Sequence, residues 1–180
     1  MKIVLVGPPF AGKTTLLKKI QSEGIKVFHA DSFVNEIYKP GEIGYKLIEE
    51  NFGSEFVNAN GVDKQKLSRL VSDDSEMMNK LNVTIHPLIK ERLDGKDDYV
   101  AELPIITTSP IKFDYDKLIL VTADAETIAE RMNENIDQIN KEFIIEMINK
   151  WNSNIEYDLV VNTSKEYEVK NILKEIKWDN

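Results

Sequence analysis

The chain has 180 residues, 42% of them hydrophobic and 30% charged, with a net charge of −8 and an isoelectric point near 4.9. Such a composition suits one globular domain large enough to bury a core, and it excludes a disordered chain. The absence of cysteine excludes disulfides, thiolate catalysis and Cys-based zinc sites; two histidines argue against a multi-histidine metal centre, and the acidic balance argues against general nucleic-acid binding.

Five short apolar runs are expected as buried parallel strands: Lys2–Val6, Ile25–His29, Tyr99–Leu103, Lys117–Val121 and Asp158–Val161. Each is nearly continuous in apolar residues, as strands covered on both faces are. Helical patterns alternate with them. One runs from Lys13 to about Glu23, carrying Leu16, Leu17 and Ile20 and stopping at Gly24; others run over Ala125–Asn133, Lys141–Trp151 and Glu166–Ile176. Residues 40–93 break the rhythm, with no convincing strand but apolar groups at Leu47, Ile48 and Phe52, at Leu67, Leu70 and Val71, and at Met77, Met78 and Leu81. Breaks are expected at Pro40-Gly41, Gly53, Asn60-Gly61 and His86-Pro87. The acidic pairs Asp73-Asp74 and Asp97-Asp98 are expected to be solvated turns. The pattern is that of an α/β fold with a parallel sheet and an inserted helical segment. The opening Ile3–Val6 run is too short for a signal-peptide core, and no run of about 18 apolar residues would span a membrane, so a soluble, cytoplasmic protein is expected. The sequence leaves its oligomeric state open.

Gly7-Pro8-Pro9-Phe10-Ala11-Gly12-Lys13-Thr14 fits G-x-x-x-x-G-K-[ST] without a mismatch, between an expected strand and an expected helix. The glycines permit backbone shapes that a Cβ would obstruct, so the amides from Ala11 through Thr15 (Ala11, Gly12, Lys13, Thr14 and Thr15) can point at phosphate oxygens. The positive end of the helix dipole adds to them. Lys13 then reaches the β and γ phosphates of ATP, and the Thr14 hydroxyl ligates Mg²⁺. No Asn-Lys-x-Asp guanine motif occurs, so a GTPase is disfavoured and a compact small-molecule kinase is expected. Phosphate chemistry would have to work with few planar clamps, because Arg69, Arg92 and Arg131 are the three arginines among 23 basic residues, the other 20 being lysine.

Asp31 directly follows the second strand, at the sheet edge where α/β proteins bind ligands. It either accepts the acceptor hydroxyl's proton or caps the helix beginning near Ser32. Glu102, ending the third strand, either orients Mg²⁺ through water or caps the following turn.

In the order of these features the chain resembles the dephospho-CoA kinase family. Val27–Phe33 resembles the segment ending Asp-Ala-Asp, whose second aspartate, here Asp31, is the proposed catalytic base. Pro40-Gly41, Phe52-Gly53 and Asn60–Leu67 resemble the acceptor-domain signature, Leu81–Ile89 the His-Pro segment, and Tyr157–Asn162 the last strand with its following asparagine. The resemblance implies a P-loop kinase fold, with a five-stranded parallel sheet flanked by helices, a helical acceptor-binding insertion at 40–94 and a short helical lid at about 132–156. The remainder, 1–39 and 95–180, would form the P-loop core. It implies ATP-dependent phosphorylation of the 3′-hydroxyl of dephospho-CoA, with Mg²⁺. Lys13 and Asp31 would be catalytic, Asn162 would join the ATP site, and His86 would contribute to the acceptor site unless it is structural. Partners would be small molecules, ATP and dephospho-CoA, with neither nucleic acid nor membrane.

The chain departs from the family at His29, which replaces the first aspartate, and at Pro104–Thr108, which replaces a Pro-Leu-Leu-Phe-Glu-like run. No arginine lies between Met132 and Tyr157, where the family's lid carries several. Arg131 matches an arginine at the start of that lid, or is a solvated helical position. A nucleoside monophosphate kinase, suggested by the adenylate-kinase-like loop, and a homologue that binds nucleotide or CoA without turnover are the competing readings.

Overall fold

Ile3, Val4, Leu5 and Val6 are all fully buried, which places the first strand, β1 (Lys2–Val6), inside a sheet covered on both faces. The structure, a computed structural model, describes residues 1–72, 74–103, 109–132, 141–152 and 155–178. These described residues divide into two units, one within 1–28, 97–103 and 114–178, the other within 29–96 and 109–113.

The first unit is built on a five-stranded sheet. Beside β1 lie β5 (Tyr99–Glu102) and β6 (Lys117–Thr122), both parallel to it, with Val4 opposite Ala101 on one side and Leu118 on the other. Strand β7 (Leu159–Asn162) extends the sheet beyond β6, and β2 (Val27–His29) flanks β5, giving the order β2-β5-β1-β6-β7. Helix α1 (Lys13–Ser22) presents Leu16, Leu17 and Ile20 to the sheet, and α8 (Val169–Glu175) presents Val169 and Ile172 to the same core. Burying each such side chain contributes about 1.5–3 kcal/mol. Helices α6 (Ala125–Arg131) and α7 (Lys141–Asn152) share a smaller core of Ala123, Ile128, Ala129 and Ile144. The predicted strands appear, the first with its expected bounds and the others with ends shifted by one or two residues. The predicted last helix starts at Val169 instead of Glu166, because Glu168 takes the cap position.

The second unit holds α2 (Ala30–Ile37), α3 (Ile43–Phe52), α4 (Lys64–Ser72) and α5 (Ser75–Leu93). Two expectations fail here. A hairpin occupies the stretch expected to lack strands, pairing Val57 with Val62 and Asn58 with Gly61 across β3 (Val57–Asn58) and β4 (Gly61–Val62). Its strands are two residues long, too short for any period, and its turn is Ala59-Asn60, beside the expected Asn60-Gly61 break, with the Asn60 amide donating to Asn58 Oδ1 at 2.8 Å. The break expected at His86-Pro87 is also absent, because α5 runs through it. Pro87 forfeits the bond that the Val83 carbonyl would accept and costs about 3 kcal/mol. Burial of Ile85, His86, Ile89 and Leu93 along one stripe of the helix offsets that loss. Helix α5 also gains a start signal: Asp74 Oδ1 accepts from the amides of Glu76 at 2.9 Å and Met77 at 3.1 Å. Asp73 lies outside the described residues.

Candidate active site

The glycine loop leaves the carboxyl end of β1 and enters α1 at Gly12, which caps the helix with φ 91. Gly7 has φ 144, and a Cβ there would lie 1.9 Å from the Val121 carbonyl oxygen, so glycine alone allows the loop to pass that close to β6. The first intrahelical bond runs from the Leu16 amide to the Gly12 carbonyl at 2.9 Å. The amides of Gly12, Lys13, Thr14 and Thr15 therefore precede the helical ladder, with the dipole's positive end behind them. The Ala11 amide closes a turn onto the Pro8 carbonyl at 3.3 Å, a bond the motif does not announce.

Lys13 is 8% exposed, and its ammonium donates to the carbonyls of Gly7 at 2.9 Å and Pro8 at 2.8 Å. The lysine thus arches back over its own loop. The Thr14 hydroxyl faces Glu102, with Oγ1 at 3.0 and 3.2 Å from the two carboxylate oxygens. Glu102 is buried at the carboxyl end of β5. Of its two proposed roles, this contact places it beside the threonine. A hydroxyl and a carboxylate next to a phosphate loop fit Mg²⁺, a hard cation that takes one or two protein oxygens and keeps several waters. Among the described residues no group of three or more acidic or histidine side chains forms an all-protein cage.

Arg131 is exposed at the end of α6, as its Glu130-Arg131 setting allowed, yet its guanidinium is engaged. Its Nη1 donates to the Phe10 carbonyl at 3.0 Å and to Thr163 Oγ1 at 2.9 Å, and its Nη2 donates to the Thr163 carbonyl at 3.2 Å. Thr163 Oγ1 in turn donates to the Ala11 carbonyl at 2.7 Å. Next to this cluster Asn162 ties β7 to the turn after β6: its Nδ2 donates to Asp124 Oδ1 at 2.9 Å, and its Oδ1 accepts from the Ser164 amide at 2.9 Å. Ser164 Oγ accepts from the Asp124 amide at 2.7 Å. Asp124 escaped the sequence reading, as did the hydrogen bonds of Thr163 and Ser164, two residues expected only near the adenine.

Asp31 is exposed in the first turn of α2. The capping alternative does not hold, since the helix begins at Ala30 and His29 occupies the cap position. His86 lies well inside α5, 4% exposed, with Nδ1 at 2.7 Å from Ser109 Oγ, which also accepts from the Ile111 amide at 3.1 Å. Burial pushes its imidazole down to about 4, so the ring is neutral near pH 7. The Ser109 hydroxyl, engaged by the Ile111 amide through its lone pairs, is free to donate its proton to Nδ1. Residues 104–108, where the sequence departs from the family's apolar run, lie outside the described residues, as do 133–140 and 153–154 of the expected lid.

A phosphate loop on a parallel sheet, with Lys13 over it and a Thr–Glu pair for a divalent cation beside it, defines a P-loop kinase. More narrowly, the chain belongs to the dephospho-CoA kinase family, whose model, "CoaE: Dephospho-CoA kinase", matches residues 1–164. A dephospho-CoA kinase of Fusobacterium nucleatum is 32% identical over 163 residues, covering 87% of this chain and 83% of that one. Among solved structures, TT1252 from Thermus thermophilus superposes with a TM-score of 0.74 at 20% identity, covering 100% of this chain and 98% of the other. A dephospho-CoA kinase from Campylobacter jejuni superposes with a TM-score of 0.59 at 16% identity, covering 98% of both chains. At those identities the two structures establish the fold.

Proposed function

We propose that this chain carries out its family's reaction, transfer of the γ-phosphoryl group of ATP to the ribose 3′-hydroxyl of dephospho-CoA, with the roles divided among the residues described above. The observation that carries the reading is the pairing of Lys13, arched over its own loop, with the Thr14–Glu102 contact at 3.0 Å. The amides of Gly12–Thr15 and Lys13 bind the β and γ phosphates. Lys13 exchanges its two loop carbonyls for phosphate oxygens and stays where negative charge spreads during a loose transfer. Thr14 and Glu102 would hold Mg²⁺, which would supply charge neutralisation to the phosphates. Asn162 and the residues after it line the adenine end. Asp31 accepts the proton of the 3′-hydroxyl as that oxygen bonds to the γ-phosphorus and the bond to the β–γ bridging oxygen breaks, releasing ADP. Residues 29–96 hold the acceptor, with His86, neutral and fixed by Ser109, shaping that unit from within. The chain works in the cytoplasm on these two small molecules.

ADP release on adding dephospho-CoA to the protein with Mg²⁺ and ATP tests the reading, with Lys13→Ala as the blank. A wild-type rate no higher than that blank at millimolar substrate defeats it. Faster turnover with AMP or CMP than with dephospho-CoA would favour the nucleoside monophosphate kinase reading instead.

A further inference from the structure

Phe10, in the outer half of the phosphate loop, is one of three non-glycine residues with left-handed backbone among the described residues. Phe10 has φ 62, a left-handed conformation that a non-glycine residue adopts at a cost, and its ring is half-exposed. Arg131 and Thr163 grip this stretch, reaching across 121 and 152 residues of sequence to the carbonyls of Phe10 and Ala11. In a trans peptide the carbonyl and the next amide point in opposite directions. Pinning the Phe10 carbonyl therefore directs the Ala11 amide the other way, into its turn with Pro8. Pinning the Ala11 carbonyl directs the Gly12 amide likewise, to the head of the helix where phosphate binds. The guanidinium meets Phe10 and both oxygens of Thr163 from one plane, a fork that a lysine ammonium does not reproduce.

We infer that Arg131 and Thr163 are positioning residues that clamp the Phe10–Ala11 backbone and so preset the phosphate loop for nucleotide. This deepens the kinase reading and rests on it only in that the loop must bind ATP. Arg131 acts through the loop's backbone, so its effect falls on ATP and ADP alike. A clamp that holds Phe10 in a left-handed conformation should also be dispensable when residue 10 adopts that conformation freely. Glycine does so.

Calorimetric affinities for ATP and ADP with Mg²⁺ test the clamp on the full chain, in the wild type, Arg131→Ala, Arg131→Lys, Thr163→Val, Phe10→Gly and the Arg131→Ala/Phe10→Gly double variant. Loss of charge-assisted bonds to the loop predicts that Arg131→Ala weakens both nucleotides about tenfold and Arg131→Lys nearly as much. Thr163→Val, which removes one arginine partner and the Ala11 bond, should weaken both about threefold or more. Added to Arg131→Ala, Phe10→Gly should recover about threefold or more of the lost affinity. A loss confined to ATP, with no recovery in the double variant, would overturn the clamp in favour of direct contact with the γ-phosphate. Unchanged affinity in Arg131→Ala would overturn it too. Should Arg131→Ala fail to fold by circular dichroism, Thr163→Val decides: an undiminished affinity there overturns the clamp. A wild-type chain that binds no ATP would instead sink the nucleotide reading, a separate failure.

Discussion

His86 carries no charge at neutral pH, and its burial sets a pH dependence of stability. Its pKa is about 4 in the folded chain against about 6.5 when unfolded, so as pH falls the unfolded state takes up the proton first. The stability is fully present above pH 6.5 and is lost progressively as pH falls towards 4. Between pH 7 and pH 4.5 this amounts to about 2 kcal/mol. Urea unfolding at those two values should show the wild type losing about 2 kcal/mol more than His86→Gln. Equal losses would show that the buried ring does not control this response. Gly7 offers a sharper test of backbone geometry, because a Cβ there would sit 1.9 Å from the Val121 carbonyl oxygen. Gly7→Ala should cost about 3 kcal/mol or more and abolish ATP binding, as read from the denaturation midpoint and from calorimetry.

At the scale of the elements, local signals act as their physics dictates where they are not overridden. Asp74→Ala removes both cap bonds of α5 and should lower stability by about 1 kcal/mol in urea unfolding. The strands were legible because parallel strands buried on both faces are apolar at every position, as Ile3–Val6 and Leu118–Val121 are. The β3–β4 hairpin was not, because two residues carry no alternation. Pro87 misled for another reason: proline is a local penalty, and the buried stripe of Ile85, His86, Ile89 and Leu93 outweighs it. The start of α2 moved to Ala30 because the His29 backbone, not a side-chain oxygen, makes the transition from strand to helix.

Across the whole molecule, the part of the site written in consecutive residues was readable and the part assembled by folding was not. Gly7–Thr14 is one contiguous motif, and Glu102 was weighed because it ends a recognisable strand. The Arg131–Thr163 grip on Phe10 and Ala11 joins three distant segments, and no local spacing encodes it. The scarcity of arginine thereby acquires a meaning that composition alone did not supply. One of three arginines among 20 lysines stands where a planar fork meets three acceptors. Among the described residues no helix is long and apolar enough to cross a membrane. ATP with Mg²⁺ at about 100 times its dissociation constant should stabilise the chain by about 2.7 kcal/mol, seen as a rise in Tm. EDTA should remove most of that rise, and so should Thr14→Ala; a rise indifferent to both would move the cation away from Thr14 and Glu102. The claim at the centre is that Asp31 takes the acceptor proton while the phosphate loop holds ATP. Its most direct measurement is the rate of ADP release with saturating dephospho-CoA for the wild type and Asp31→Asn, with ATP affinity measured on the same samples. The account predicts a fall of about 10²–10⁴-fold in turnover with ATP affinity unchanged. Turnover within a few-fold of wild type in Asp31→Asn would contradict it.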